Sequence, residues 1–189
     1  MPHHESIDGA ILLIKNRIRV VCIMKKSAFV MKEMIQYFEG DIKRINHLIK
    51  VFGFAKTLGE LERIDSYTQE IIEIAALTHD IGIKKSEEKY NSSSGHYQQI
   101  EGPNEARMLL RHIEIEDELI ERVCWLIAHH HTYIGIDAVD YQILIEADFL
   151  VNAWEENMEK SVIFSTKEKI FRTKSGKAML DSIYKLEQF

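Results

Sequence analysis

The stretch EIIEIAALTHDIGIKK, residues 70–85, decides the fold. A nearly unbroken apolar run ends in His79 and Asp80, two adjacent residues that both ionise, and Gly82 follows. The apolar run predicts a short buried helix over residues 67–81, with Gly82 capping its C-terminus. A charge inside a core is costly unless it is neutralised, paired or bound to a metal. The stretch therefore predicts that His79 and Asp80 meet partners in the core.

The composition predicts a bundle of long helices. The chain has 189 residues, which suits one domain, and its 46% hydrophobic and 29% charged residues are typical of a soluble globular protein. With 2 prolines and 9 glycines, few residues interrupt helices, which favours an all-α single-domain bundle. The net charge of −6 disfavours a nucleic acid polymer as partner. The 2 cysteines are too few for a disulfide framework and fit the cytoplasm.

The apolar segment GAILLIKNRIRVVCIM, residues 9–24, is not predicted to span a membrane. Three basic residues interrupt it, it is short for a span, and no signal-peptide cleavage pattern follows it. We expect residues 1–30 to form an N-terminal extension, and a start at Met31 also fits the sequence. We further expect one helical domain over residues 31–160 and a C-terminal helical segment over residues 161–189 that packs on it.

Helical periodicity predicts the order of the elements. The polar stretch KSEEKYNSSSGHYQQIEG, residues 85–102, is predicted to be a long loop, which makes it a candidate lid. Pro103 is predicted in the first turn of the next helix. The predicted helices, besides that over 67–81, are one or two over 31–59, then 103–113, 116–131, 141–156 and a last one over 176–189.

Histidines and aspartates lie on core-facing rows of four predicted helices. His47 shares its side of the first helix with apolar residues, His130 continues the apolar stripe of the helix over 116–131, and Asp148 has apolar neighbours at helical spacing. A single buried histidine is usually a hydrogen-bonded core residue. Several imidazoles and two carboxylates, with no Lys or Arg on the same rows, favour a divalent metal instead. Mixed ligands of this kind suit Mn, Fe, Co, Ni or Zn.

This ordered set of residues resembles the HD superfamily of metal-dependent phosphohydrolases. It consists of His47, His79-Asp80 within HDIG, His129-His130, and Asp148 within EADFL. The resemblance covers about residues 35–155 and implies an HD domain over 31–160. It implies that His47, His79, Asp80 and Asp148 bind one metal ion, with Asp80 as the bridging carboxylate where two ions occur.

The resemblance does not decide whether each chain binds one metal ion or two. It implies that His129 and His130 bind a second ion or contact the phosphate. His131 extends the run of histidines but lies further from the centre of the apolar stripe, so it ranks below its neighbours. The branch that cleaves cyclic dinucleotides has a further histidine after the long loop, where this chain has Glu101 with His96 nearby.

Two other departures disfavour a cyclic-dinucleotide substrate. That branch has a lysine directly after HDIG, whereas Ile83 intervenes here and Lys84 follows, and TYIGID replaces its GYP triplet. We expect water activated by the metal to hydrolyse a small-molecule phosphoester, such as a nucleotide or nucleotide-derived phosphate. Asp80 and Lys84 are the expected catalytic residues. His96, Glu101 and His131 are expected to bind the substrate or to support the metal ligands.

Two other functions fit the same residues. The chain is also consistent with a non-catalytic regulatory domain that binds a nucleotide or a metal and forms a homodimer through its helices. A helical oxygenase with a di-iron site also uses mixed histidine and carboxylate ligands. The intact set of ligands favours the hydrolase, because a binding module does not need both carboxylates.

Overall fold

The computed structural model describes residues 13–14, 17–18 and 25–186. Two short strands, β1 (Leu13–Ile14) and β2 (Arg17–Ile18), pair antiparallel with Leu13 opposite Ile18. Nine helices follow in the described part of the chain, and they confirm the all-α prediction. They are α1 (Lys26–Tyr37), α2 (Ile42–Glu62), α3 (Ser66–Thr78), α4 (Gly82–Tyr90), α5 (Gly95–His112), α6 (Asp117–His129), α7 (Val139–Glu155), α8 (Lys160–Ile170) and α9 (Lys174–Tyr184).

Most of the expected N-terminal extension lies outside the described residues. Its last part does not, because α1 begins at Lys26. Val30 is fully buried, and the buried Ser27 hydroxyl donates a hydrogen bond to Glu73 on α3. Residues 26–30 are thus the first turn and a half of a packed helix. The helix or helices predicted over 31–59 are the two helices α1 and α2.

The helix α3 forms the centre of the bundle. The Asp65 carboxylate caps its N-terminus by accepting hydrogen bonds from the backbone N–H groups of Tyr67 and Thr68. From Ile71 to Thr78 every residue is buried, and α3 contacts α1, α2, α6 and α7. Because its last turn is enclosed by these helices, side chains that follow it have fixed positions.

The prediction of a long loop over residues 85–102 is wrong. The helix α4 begins at Gly82, four residues connect it to α5, and Pro103 lies inside α5 and not in its first turn. The helix α4 is amphipathic, with Ile83 and Ser86 buried beneath an exposed charged face. The polar composition of this segment led to the prediction of a loop, whereas contacts with the rest of the bundle stabilise two helices there. No long lid exists in this segment.

Glycine allows α4 and α5 to approach each other closely. A Cβ atom at Gly82 would lie 2.6 Å from the carbonyl oxygen of Gln98 and 2.8 Å from the nitrogen of Gly102. At Gly102 a Cβ atom would lie 2.6 Å from Ile127 on α6. The predicted role of Gly82 as a helix C-cap is wrong, because Gly82 opens α4. Its lack of a side chain serves packing instead.

The last helix, α9, packs on α2 and α7. Glu146 of α7 is fully buried, and its carboxylate accepts hydrogen bonds from the backbone N–H groups of Arg172 and Thr173 at 2.6 and 2.9 Å and from the Thr173 hydroxyl. A buried carboxylate thus holds the chain where α9 begins. Among the described residues, no helix is long and apolar enough to cross a bilayer.

Candidate metal centre

Two histidines and two aspartates from three parts of the bundle meet beside the end of α3. His47 comes from α2, His79 and Asp80 directly follow α3, and Asp148 comes from α7. The Nε2 atoms of His47 and His79 lie 3.3 and 3.5 Å from Oδ1 of Asp148, and 3.6 and 3.7 Å from the oxygens of Asp80. We call these four residues the first group. One donor atom from each of His47, His79 and Asp80 lies within 4.8 Å of the others, and Asp148 Oδ1 lies close to both histidines, as a metal site requires.

A second set of donors shares Asp80 with the first group. His130 Nε2 lies 3.6 Å from Asp80 Oδ1, and the rings of His130 and His131 are 3.9 Å apart between centroids. One donor atom from each of Asp80, His130 and His131 lies within 4.8 Å of the others. We call these three residues the second group. Asp80 is therefore placed between two candidate sites.

Two buried atoms in these groups lack a hydrogen-bond partner in the described part of the chain. They are His130 Nε2 and Asp148 Oδ1. Buried polar side-chain atoms are nearly always hydrogen-bonded, so an unpaired imidazole nitrogen and an unpaired carboxylate oxygen need an explanation. Both atoms belong to residue types that bind transition metals. Binding of divalent metal fits the set, because it would satisfy a buried donor atom in each of these groups.

Hydrogen bonds at Nδ1 orient three of the histidines. His79 contacts the carbonyl oxygen of Ala76 at 2.9 Å, and His130 contacts that of Ile127 at 2.8 Å. His47 Nδ1 lies 3.0 Å from Oε2 of Glu155. The Nδ1–H group donates to a carbonyl or carboxylate oxygen, so Nε2 is the atom that binds a metal once it has lost its proton. All three Nε2 atoms face the groups described above.

Charges within the groups shift their pKa values in opposite directions. Burial alone would lower the pKa of His79, but the negative charges of Asp80 and Asp148 outweigh it and raise the pKa to about 9. Burial would likewise raise the pKa of Asp148, but His47 and His79 hold it far below its usual range. Burial and the neighbouring His130 lower the pKa of His131 to about 4, so its imidazole is neutral at pH 7.

A polar pocket of about 360 Å³ opens onto the first group. Sequence reasoning missed several residues of its wall. Asn152 and Glu155 follow Asp148 by four and seven residues on α7, so helical spacing from Asp148 could have found them. Gln98 gave no signal, because its segment was predicted to be a loop. The lining residues are Asp41, Lys43, Arg44, His47, Asp80, Ile83, Ser93, Gln98, His131, Asp148, Asn152, Glu155 and Glu156.

The structure does not bring His129 to either group. Its ring stacks on Trp125 with centroids 4.2 Å apart, and its Nδ1 contacts the Trp125 carbonyl oxygen at 2.6 Å. His131, which ranked lower from the sequence, takes part in the second group instead. His131 lies four residues after the buried Ile127, and the backbone at His130 is still right-handed helical, so the apolar stripe of α6 continues to His131 and not to His129.

Three other expected site residues also lie outside the pocket. Lys84 donates to the carbonyl oxygen of Tyr37 at 3.4 Å, because its position on α4 faces α1. Glu101 is buried between Lys89 and Tyr90, both of which donate hydrogen bonds to it. His96 is exposed on the first turn of α5. None of the three belongs to the first or second group.

Comparison with known proteins identifies the family. The HD domain profile matches residues 44–164, more than half of the chain. The chain belongs to the HD-domain family. HD domains bind divalent metals, and both groups described above lie inside the matched range.

One solved structure that resembles the chain is a predicted HD superfamily hydrolase from an uncultured Thermotogales bacterium. It aligns with a TM-score of 0.63 and 21% identity over 84% of each chain. At this identity the likeness shows a shared fold. A search of curated proteins finds no match. The family therefore rests on the HD domain match and the fold.

Proposed function

We propose that this HD-domain protein is a metal-dependent phosphohydrolase that cleaves a small phosphoester. The observation that supports it most is the position of Asp80 between two groups of donors, with the unpaired atoms Asp148 Oδ1 and His130 Nε2 on either side. Such pairs of neighbouring divalent sites stabilise the attacking and leaving oxygens of a phosphoryl displacement.

The proposal assigns the first group to one ion and the second group to another, with Asp80 contributing to both. A divalent metal bound there would lower the pKa of a bound water molecule and polarise a phosphoryl oxygen of the substrate. The protein's own part is to hold the Nε2 atoms of its histidines toward one space through their Nδ1 contacts. Asn152 lines the pocket and carries an amide group that would donate a hydrogen bond to a phosphoryl oxygen, whereas the amide nitrogen of Gln98 already donates to the carbonyl oxygen of Ser93.

The pocket supports a substrate of modest size. About 360 Å³ is within the range of small-molecule sites and accommodates a nucleoside monophosphate or a smaller phosphoester. Lys43 and Arg44 stand at the same pocket and attract an anionic substrate, although Arg44 is also paired with Asp41 and Glu87. Nucleoside monophosphates are therefore the first substrates to test, beside a generic phosphomonoester.

The metal content of purified protein tests the proposal. We expect one or two transition-metal ions per chain after supply of Mn²⁺ or Fe²⁺, and release of phosphate from a phosphomonoester that a chelator stops. Asp80→Ala removes a donor from both groups, so it should lose the metal and at least about a hundredfold in activity. The matched control is Glu156→Ala, which removes an exposed carboxylate at the pocket's rim without removing a donor from either group.

Other outcomes would favour the alternative functions. Stabilisation of the folded protein by a nucleotide, without release of phosphate from any ester, would favour a non-catalytic regulatory domain. Oxygen consumption by the iron-loaded protein would favour an oxygenase. A metal-free protein after supply of Mn²⁺ and Fe²⁺ would contradict the metal centre itself.

A further inference from the structure

One histidine of the first group has a charged partner on its outer side. The Nδ1 atoms of His79 and His130 each contact a backbone carbonyl oxygen, whereas His47 Nδ1 contacts the carboxylate of Glu155 at 3.0 Å. The other oxygen of Glu155 accepts a hydrogen bond from Lys50 Nζ at 2.8 Å. His47 and Lys50 are three residues apart on α2, so Glu155 holds two neighbours on one face of that helix.

The position of Glu155 is electrostatically unfavourable without these partners. It is the last residue of α7, where the helix dipole places partial negative charge, and its side chain is only 15% exposed. Its two carboxylate oxygens contact Lys50 Nζ and His47 Nδ1, and these contacts offset the unfavourable position. A buried anion at a helix C-terminus indicates that its contacts outweigh that cost.

We propose that Glu155, held in place by Lys50, is a positioning residue for the metal centre that acts through His47. The carboxylate accepts a hydrogen bond from the Nδ1–H group of His47, which fixes the ring with Nε2 toward Asp148 and Asp80 and makes His47 a stronger metal ligand. Carboxylate–histidine–metal arrangements of this kind raise the basicity of the ligand, and loss of the outer partner costs about 10–100-fold in metal affinity.

The inference rests on the metal centre of the proposed function but not on its chemistry. The hydrogen bond and ion pair that link Glu155 to the first group both go to His47, so the effect proposed here passes through that ring. A purely structural clamp between α2 and α7 would instead change the stability of the metal-free protein and leave the affinity for metal unchanged. Metal affinity and metal-free stability are therefore measured separately.

Titration of the full-length, metal-free protein with Co²⁺ tests the inference. We expect Glu155→Gln, which keeps the shape and removes the charge, to weaken binding at the first group by about 10–100-fold. The matched control is Glu156→Gln, which removes a neighbouring exposed carboxylate of the same pocket that has no contact with His47. We expect the control to lose about threefold or less, because a solvent-exposed charge is well screened. Equal losses in the two variants would overturn the inference.

The proton on His47 gives a second measurement that needs no variant. In the Zn²⁺-loaded wild-type protein, nuclear magnetic resonance should show a proton on Nδ1 of His47 that exchanges slowly with water. A rapidly exchanging proton, or a proton on Nε2, would overturn the inference even if Glu155→Gln does not fold. Wild-type protein that binds no Co²⁺ would overturn the inference and the proposed function together. Binding that depends on Glu155 without any phosphate release would support the inference and contradict the proposed function alone.

Discussion

The two groups of donors share Asp80 but rest on different parts of the bundle. The first group is carried by α2, α7 and the end of α3, which are enclosed by apolar packing. In the second group, His131 follows the end of α6 and contacts the side chain of Gln98 on the polar helix α5 at 3.3 Å. The first group is therefore the more rigid one, and rigid donors lose less freedom when they bind a metal. We expect the first group to bind its ion more tightly.

The largest effect is expected from Asp148→Asn. This substitution keeps the shape of the side chain but removes a charged donor from the first group alone. We expect the affinity of the first group for its ion to fall by at least about a hundredfold. The loss of a metal ligand costs more than the loss of a residue that only supports a ligand. Calorimetric titration with Mn²⁺ measures this. An unchanged tight site would show that the first group does not bind metal.

The pH dependence of binding should also separate the two groups. Because the pKa of His79 is raised to about 9, the metal-free first group carries a proton at pH 7 that the ion must displace. Its affinity should rise between pH 6 and 7.5, by about tenfold per pH unit for each proton that the ion displaces. His131 has a pKa of about 4, so it adds no such dependence to the second group. Titrations in several buffers would count the released protons.

His131→Gln should weaken the binding of the ion at the second group and leave binding at the first group unchanged. We expect about a tenfold loss, at the low end of the range for removing support from a metal site, because Asp80 and His130 remain. The control is His129→Gln, since His129 stacks on Trp125 and belongs to neither group. If His129→Gln has the larger effect, the second ion is bound as the sequence predicts, and the second group is wrongly assigned.

The smallest effect is expected from Gly95→Ala. A Cβ atom there would lie 2.5 Å from the ring of His131, so the ring must move by a fraction of its own width. We expect a loss of a few-fold, about 1 kcal/mol or less, in affinity for the weaker ion and none for the tighter one. Gly53→Ala on α2 meets no atom within 4 Å and serves as the control. Equal effects would show that helix propensity, not His131, is responsible.

The difference between the two groups of donors also explains which features could be predicted from the sequence. His47, His79, Asp80 and Asp148 interrupt apolar rows of buried helices, so helical spacing alone indicates that they point inward. The helical bundle follows from the same rows and from the scarcity of proline and glycine. These features depend on the spacing of residues along a single helix, so the sequence pattern predicts them.

The other parts depend on contacts that spacing does not encode. The helices α4 and α5 have few apolar residues, and their glycines look like breakers although Gly82 and Gly102 are points of close packing. His131 lies four residues after Ile127 on the stripe of α6, but spacing alone does not show that it meets Asp80 and Gln98. Lys84 has the right place in the sequence but faces Tyr37, because α4 starts where a loop was expected.

The buried carboxylate of Glu146 bears on where this protein can be shortened. The family match ends at residue 164, inside α8, yet the donors that satisfy Glu146 come from Arg172 and Thr173. A chain cut at the end of the match would keep this anion in its core and remove its backbone partners. The minimal folding unit of this protein therefore extends at least to Thr173, past the end of the family match.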